Sequence, residues 1–185
     1  VVIEAIDNLK ARSPISSLTN EVGMSKACYD HVNDHGPEGT TGHSGSDGSS
    51  PADRISRYGK WTSTWGENIA YTSRTSGFDL VSQLIIDDGV SSRGHRDNIY
   101  KTAFTVSGVG CGEHKTYGNI CVWTYAGGYT TNADVSLKYC KDNENADEKD
   151  DDNEPTPGSN GTDAAESTTK VILSGVSIFL LLTLQ

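Results

Sequence analysis

Three short segments carry the residue types that acid–base or metal chemistry needs: Gly42-His43-Ser44-Gly45-Ser46-Asp47-Gly48, Gly66-Glu67-Asn68-Ile69-Ala70 and Gly94-His95-Arg96-Asp97-Asn98-Ile99. Just before the third, Asp87 and Asp88 close an apolar helical pattern and bring carboxylates near His95 in sequence. Two imidazoles with one or two carboxylates are a reasonable donor set for zinc, and an open position on such an ion holds and polarises water. The glycines around His43 let backbone approach a site closely, while Ser44, Ser46 and Asp47 can orient the ring by hydrogen bonds. Glu67 follows a glycine and precedes a strand pattern, where a carboxylate has no obvious packing role.

Other chemistries have no such pattern. The chain lacks a Gly-x-Ser-x-Gly elbow and the glycine patterns that cradle phosphate. Ser44 stands beside His43, but no base and orienting acid can be assigned to it in order, so it is not read as a nucleophile. His31 and His35 lie four apart on a predicted helix, a spacing that can hold a metal. Val32 occupies the place of the glutamate in the zinc-protease pattern, and beside Asp30 and Asp34 the two rings read as helix-surface histidines. His114 falls in a turn and is assigned no role.

The elements that must position these groups begin with a helix over Val1–Arg12, its apolar positions Val2, Ile3, Ala5, Ile6 and Leu9 turned inward, ended by Ser13-Pro14. A second helix is expected over Asn20–Asp34, stopped by Gly36-Pro37, with a loop over 36–50. Ser50-Pro51-Ala52-Asp53 has the form of a helix start: a serine cap, a proline where no amide donor is needed, and an acid at the third position. A loop from Trp61 to Trp65 and a short strand Glu67–Tyr71 follow, then a helix with Phe78, Val81, Leu84 and Ile85 inward and Gly89 just past its end. From Phe104 the apolar period changes to two, giving two antiparallel strands joined around His114–Gly118. Strands that follow helices indicate an α+β chain with helices packed on a small antiparallel sheet.

Composition divides the chain. Of 25 acidic residues, ten fall after Cys140 with three of the lysines, so that part carries −7 of the net −10. Residues 1–140 read as one globular domain, 141–170 as an acidic disordered stalk, and 171–185 as an apolar segment. Small residues at Asn160-Gly161-Thr162, a polar spacer and a short apolar end match a glycosylphosphatidylinositol signal, which predicts a lipid-anchored protein at the cell surface. Asn160 also begins the only N-glycosylation sequon. Four cysteines without a Cys-x-x-Cys spacing argue for disulfides in an oxidising compartment, with Cys111–Cys121 across a hairpin and Cys28–Cys140 by elimination. No basic patch with interleaved aromatics is present, so nucleic acid is not expected as a partner.

Taken in order with the later Val109-Gly110-Cys111-Gly112, the three motifs resemble the CAP superfamily, the cysteine-rich secretory, antigen 5 and pathogenesis-related 1 proteins, also called SCP-like extracellular proteins. The resemblance covers about residues 1–130. It implies a three-layer α-β-α sandwich, secretion, and a cleft lined by two histidines and two acids that binds a divalent cation. His43, Glu67 and His95 match three of those positions. The fourth follows a Trp-x-x-Glu pattern in the family, and here Leu84-Ile85-Ile86-Asp87 takes its place with a shorter acid. The resemblance implies a binding protein for sterol, lipid or a cell-surface macromolecule in defence or host interaction. A metal-dependent hydrolase using Glu67 is the alternative, and a structural surface antigen without a ligand is a third.

Overall fold

The computed structural model describes residues 1–135. Cys140, the acidic stretch, the Asn160 sequon and the apolar segment lie outside the described residues. In chain order the elements are α1 (Val2–Ala11), β1 (Thr19–Asn20), α2 (Val22–Glu38), α3 (Pro51–Tyr58), β2 (Gly59–Thr72), α4 (Gly77–Ile86), α5 (Gly94–Ile99), β3 (Val106–His114) and β4 (Gly118–Thr131).

β3 and β4 form the expected hairpin, with His114 opposite Gly118 and Cys111 opposite Cys121. The two cysteines are bonded to each other. β2 runs antiparallel along β4, and β1 pairs in parallel with β3, so the order is β1-β3-β4-β2 and the sheet is mixed. Alternation along β4 sends Ile120 and Val122 to one face, against Cys28 and Val32 of α2. Cys121 and Trp123 point to the other face, against Leu80 and Leu84 of α4. Helices therefore cover both faces, which is the α-β-α layering of an α+β chain. Each aliphatic side chain fully buried this way contributes roughly 1.5–3 kcal/mol.

The same alternation places the site. Ile69 of β2 packs on the α2 side and Ala70 on the α4 side. Glu67 and Asn68, two residues earlier, consequently face opposite sides of an edge strand.

Several elements differ from the local pattern. Gly36-Pro37 does not stop α2, because Pro37 falls in its last turn. The helix ends at Gly39, whose φ of 71° is left-handed and suits a residue without a Cβ. β2 starts at Gly59 and absorbs the expected Trp61–Trp65 loop through a register shift between Thr62 and Trp65. β1 is only two residues long, too short to show a period. His95 lies in the short helix α5.

Apolar burial on the outer helices is also narrower than the spacing suggests. α1 packs on α4 rather than on the sheet, and it buries Ala5 while Val2, Ile3 and Ile6 stay exposed. α4 buries Leu80, Leu84 and Ile85 and leaves Phe78 exposed. Cys28 is a free thiol enclosed between α2 and the sheet, where it meets the Gly108 carbonyl and the Thr124 hydroxyl. Cys140, the other member of the expected Cys28–Cys140 bridge, lies outside the described residues.

Candidate functional site

The first half of the site starts at α3. Ser50 and Asp53 form the capping box that their spacing predicts, and this fixes the first turn of the helix. The next residue, Arg54, is directed inward and buried. Its Nη2 donates to Glu67 Oε2 at 2.7 Å, and its Nη1 donates to the carbonyls of His43 and Ser49 at 3.0 and 3.1 Å. Glu67 Oε1 lies 2.8 Å from His43 Nδ1. Both carboxylate oxygens are engaged, and the charge is buried beside a guanidinium that balances it.

The loop that presents His43 is held from below by three basic side chains. The carbonyls of Gly42, His43 and Ser44 accept from His31 Nε2, Arg54 Nη1 and His35 Nε2 at 2.8, 3.0 and 3.0 Å. Consecutive backbone carbonyls are thereby satisfied without secondary structure, which explains how a glycine- and serine-rich stretch keeps one conformation. His43 itself remains open to solvent, with 55% of its side chain exposed.

The second half is built on Asp87. It ends α4 in the left-handed region at φ 55°, and its backbone amide bonds back to the Gln83 carbonyl. From there Asp87 Oδ1 meets His95 Nδ1 at 2.6 Å, while Oδ2 accepts from the backbone amides of His95 and Arg96. One short side chain thus orients the imidazole and satisfies two of the free amides in the first turn of α5. Asp87 is buried and Asp88 is exposed, so Asp87 is the acid that faces inward. Arg93 Nη1 closes the connection by donating to the Asp87 and Val90 carbonyls. Arg96 is buried as well, where it donates to the last carbonyls of α4, at Ile85 and Ile86, and pairs with Glu4 of α1.

Two asparagines join the halves across the edge strand. Asn68 Nδ2 donates to the His95 carbonyl at 2.9 Å and to the Tyr125 hydroxyl at 3.2 Å. Asn98 Nδ2 donates to Asn68 Oδ1 at 2.9 Å and to the Glu67 carbonyl at 3.3 Å. Gly66 belongs to the same fit, because a Cβ there would meet the Phe104 ring at 2.9 Å.

The four residues singled out from sequence come together as two imidazole–carboxylate pairs, His43–Glu67 and His95–Asp87. In a neutral ring whose Nδ1 faces a carboxylate, Nδ1 carries the proton and Nε2 carries the lone pair. Neither Nε2 has a hydrogen-bond partner among the described residues, and this is the form in which imidazole ligates a metal with a carboxylate behind it. Each ring is thus set to offer Nε2 to a cation.

A family model described as the cysteine-rich secretory protein family, CAP, matches residues 3–129 of the chain. The chain belongs to the CAP family. Among solved structures the CAP domain is similar to an extracellular protein containing an SCP domain from Bacillus anthracis str. Ames, at 20% identity and a TM-score of 0.48 over 67% of this chain and 36% of that one. It is also similar to an outer surface protein of Borrelia burgdorferi, at 18% identity and a TM-score of 0.48 over 68% of this chain and 85% of that one. The chain therefore spans little more than a third of the Bacillus protein's chain. No curated protein matches it.

Three histidines of the CAP domain have roles that spacing hides. His31 and His35 are buried, with 0% and 4% of their surface exposed, and do not lie on the helix surface as expected. His114 is buried too: its Nε2 donates to the Thr40 carbonyl, and its Nδ1 accepts from the amides of Thr116 and Tyr117, so it shapes the hairpin turn. Nothing in the spacing marks Arg54. Its only sequence signal is a place beside Ile55 on the inward side of a capped helix.

Proposed function

We propose that this is an extracellular CAP domain that holds a divalent cation through Nε2 of His43 and of His95, with Glu67 and Asp87 behind the rings as orienting groups. The observation that carries the reading is the matched hydrogen bonding of the two rings, each with Nδ1 on a buried carboxylate. An ion held this way supplies a Lewis-acid centre for water or for an anionic group of a partner. Binding is favoured over hydrolysis, because Glu67, the one candidate for a base, already uses both oxygens on His43 and Arg54. The Cys111–Cys121 bridge supports an oxidising, extracellular setting. Anchoring at the cell surface by a glycosylphosphatidylinositol lipid is proposed with it; release from cells by a phosphatidylinositol-specific phospholipase is the expected result, and retention would overturn it.

Calorimetric titration of zinc into the full chain tests the cleft. Wild type is expected to bind at least about tenfold more tightly than His43→Ala or His95→Ala at the site those residues form. Equal binding isotherms for all three proteins would overturn the assignment.

A second reading concerns an apolar ligand. Val2, Ile3 and Ile6 of α1 and Phe78 of α4 are exposed on two helices that pack together. Exposed apolar side chains on these two helices support a sterol or acyl chain as a further partner. Quenching of a fluorescent sterol is expected with wild type and lost in Ile3→Asp and Phe78→Asp; unchanged quenching in both would sink the idea.

A further inference from the structure

We infer that His31, Asp34 and His35 form a second cation site, distinct from the His43 and His95 cleft, which takes a divalent ion of the zinc, cobalt or nickel type beneath the loop that carries His43. One nitrogen of each ring and one carboxylate oxygen of Asp34 lie within 4.8 Å of one another. The ring centroids are 4.0 Å apart, so the two imidazoles address one small volume.

A second observation is independent of this spacing. Nδ1 of His31 and Nδ1 of His35 are both buried without any hydrogen-bond partner. Buried polar atoms are otherwise almost always satisfied, and here two that remain unsatisfied belong to neighbouring rings. On each ring Nε2 donates to a loop carbonyl, Gly42 for His31 and Ser44 for His35. A ring fixed in this way presents a lone pair on Nδ1, and a carbonyl on the far nitrogen is the usual support for a ligating histidine.

Asp34 supplies the anionic member: its Oδ2 lies 3.7 Å from His35 Nε2, the nitrogen that also faces the Ser44 carbonyl. Its carboxylate is partly exposed and is held by the backbone amide and the hydroxyl of Ser46. Two imidazoles with one carboxylate suit borderline divalent ions and not calcium or magnesium, which prefer all-oxygen sets. The rings that would bind the ion are those that hold the Gly42 and Ser44 carbonyls, on either side of His43. Occupancy would therefore brace the loop that presents His43.

The experiment is a cobalt titration of the full chain, read by visible absorption and calorimetric stoichiometry, in the His43→Ala/His95→Ala background that removes the cleft. This protein is expected to bind one equivalent of cobalt, and adding Asp34→Asn or His35→Gln is expected to weaken that binding at least about tenfold. Asp34→Asn keeps the residue's size at a partly exposed position, and circular dichroism without metal verifies that the fold is intact. Absence of cobalt binding in the cleft-deleted protein would overturn this inference and leave the cleft reading standing. Binding undisturbed by both added substitutions would overturn it as well. One equivalent in that background together with an unchanged wild-type stoichiometry would instead sink the cleft reading.

Discussion

Arg54 Nη2 sits 2.7 Å from Glu67 Oε2, with each side chain only 2% exposed. The pair is therefore a buried ion pair in which Arg54 Nη1 also donates to the His43 and Ser49 carbonyls and Glu67 Oε1 faces His43 Nδ1, while Arg54 Nε is buried without a hydrogen-bond partner. Removing one member leaves the other charge in a poorly solvated place and costs more than the pair contributes as a whole. Arg54→Ala is expected to lower stability by about 3–5 kcal/mol in urea unfolding. A loss below about 1 kcal/mol, the range of surface ion pairs, would show that Glu67 is solvated after all.

His31 sets a pH dependence. Its folded-state value is lowered from 6.5 to about 4, first by burial and then by Arg54. Between those values the unfolded chain binds a proton that the native ring refuses, so stability is full above the unfolded value and falls as pH drops from 6.5 toward about 4. The loss is about 3 kcal/mol when the full shift is expressed. His31→Gln should flatten this part of the melting-temperature profile measured without metal, and an unchanged slope would exclude His31 as its source.

Asp87 and Asp88 should separate cleanly. Asp87→Asn weakens the orientation of His95 and is expected to lower cation affinity at the cleft by about 10–100-fold in calorimetry. Asp88→Asn, at an exposed neighbour, should leave affinity unchanged. Equal effects of the two would mean that bulk negative charge, and not the contact to Nδ1, governs binding.

Cys28 should be chemically silent. Burial pushes its thiol up to about 12, so almost no thiolate exists at pH 8 and reagents have no access. Mass spectrometry after iodoacetamide treatment is expected to find the Cys28 peptide unmodified in native protein and modified in denaturant. Labelling in the native state would show that α2 opens from the sheet.

Sequence alone determined the parts of this protein that depend on near neighbours. The capping box at Ser50 and Asp53 is a three-residue relation, and the Cys111–Cys121 hairpin follows from a period of two around a turn. Residue types at glycine-flanked positions singled out His43, Glu67 and His95, and the resemblance to the CAP superfamily added Asp87. The tertiary structure decided what these residues face, because the contacts cross many residues and leave no periodic trace. His43 meets Glu67 24 positions away, and Arg54 enters between their elements from a helix whose apolar pattern does not mark it. His31 and His35 look like surface histidines beside two aspartates until loop 42–46 folds over them. Asp87 prevails over Asp88 because the left-handed turn at the end of α4 points only the first carboxylate at the amides of α5. Burial of a polar side chain is thus set by the element packed over it, and local spacing contains no information about that element.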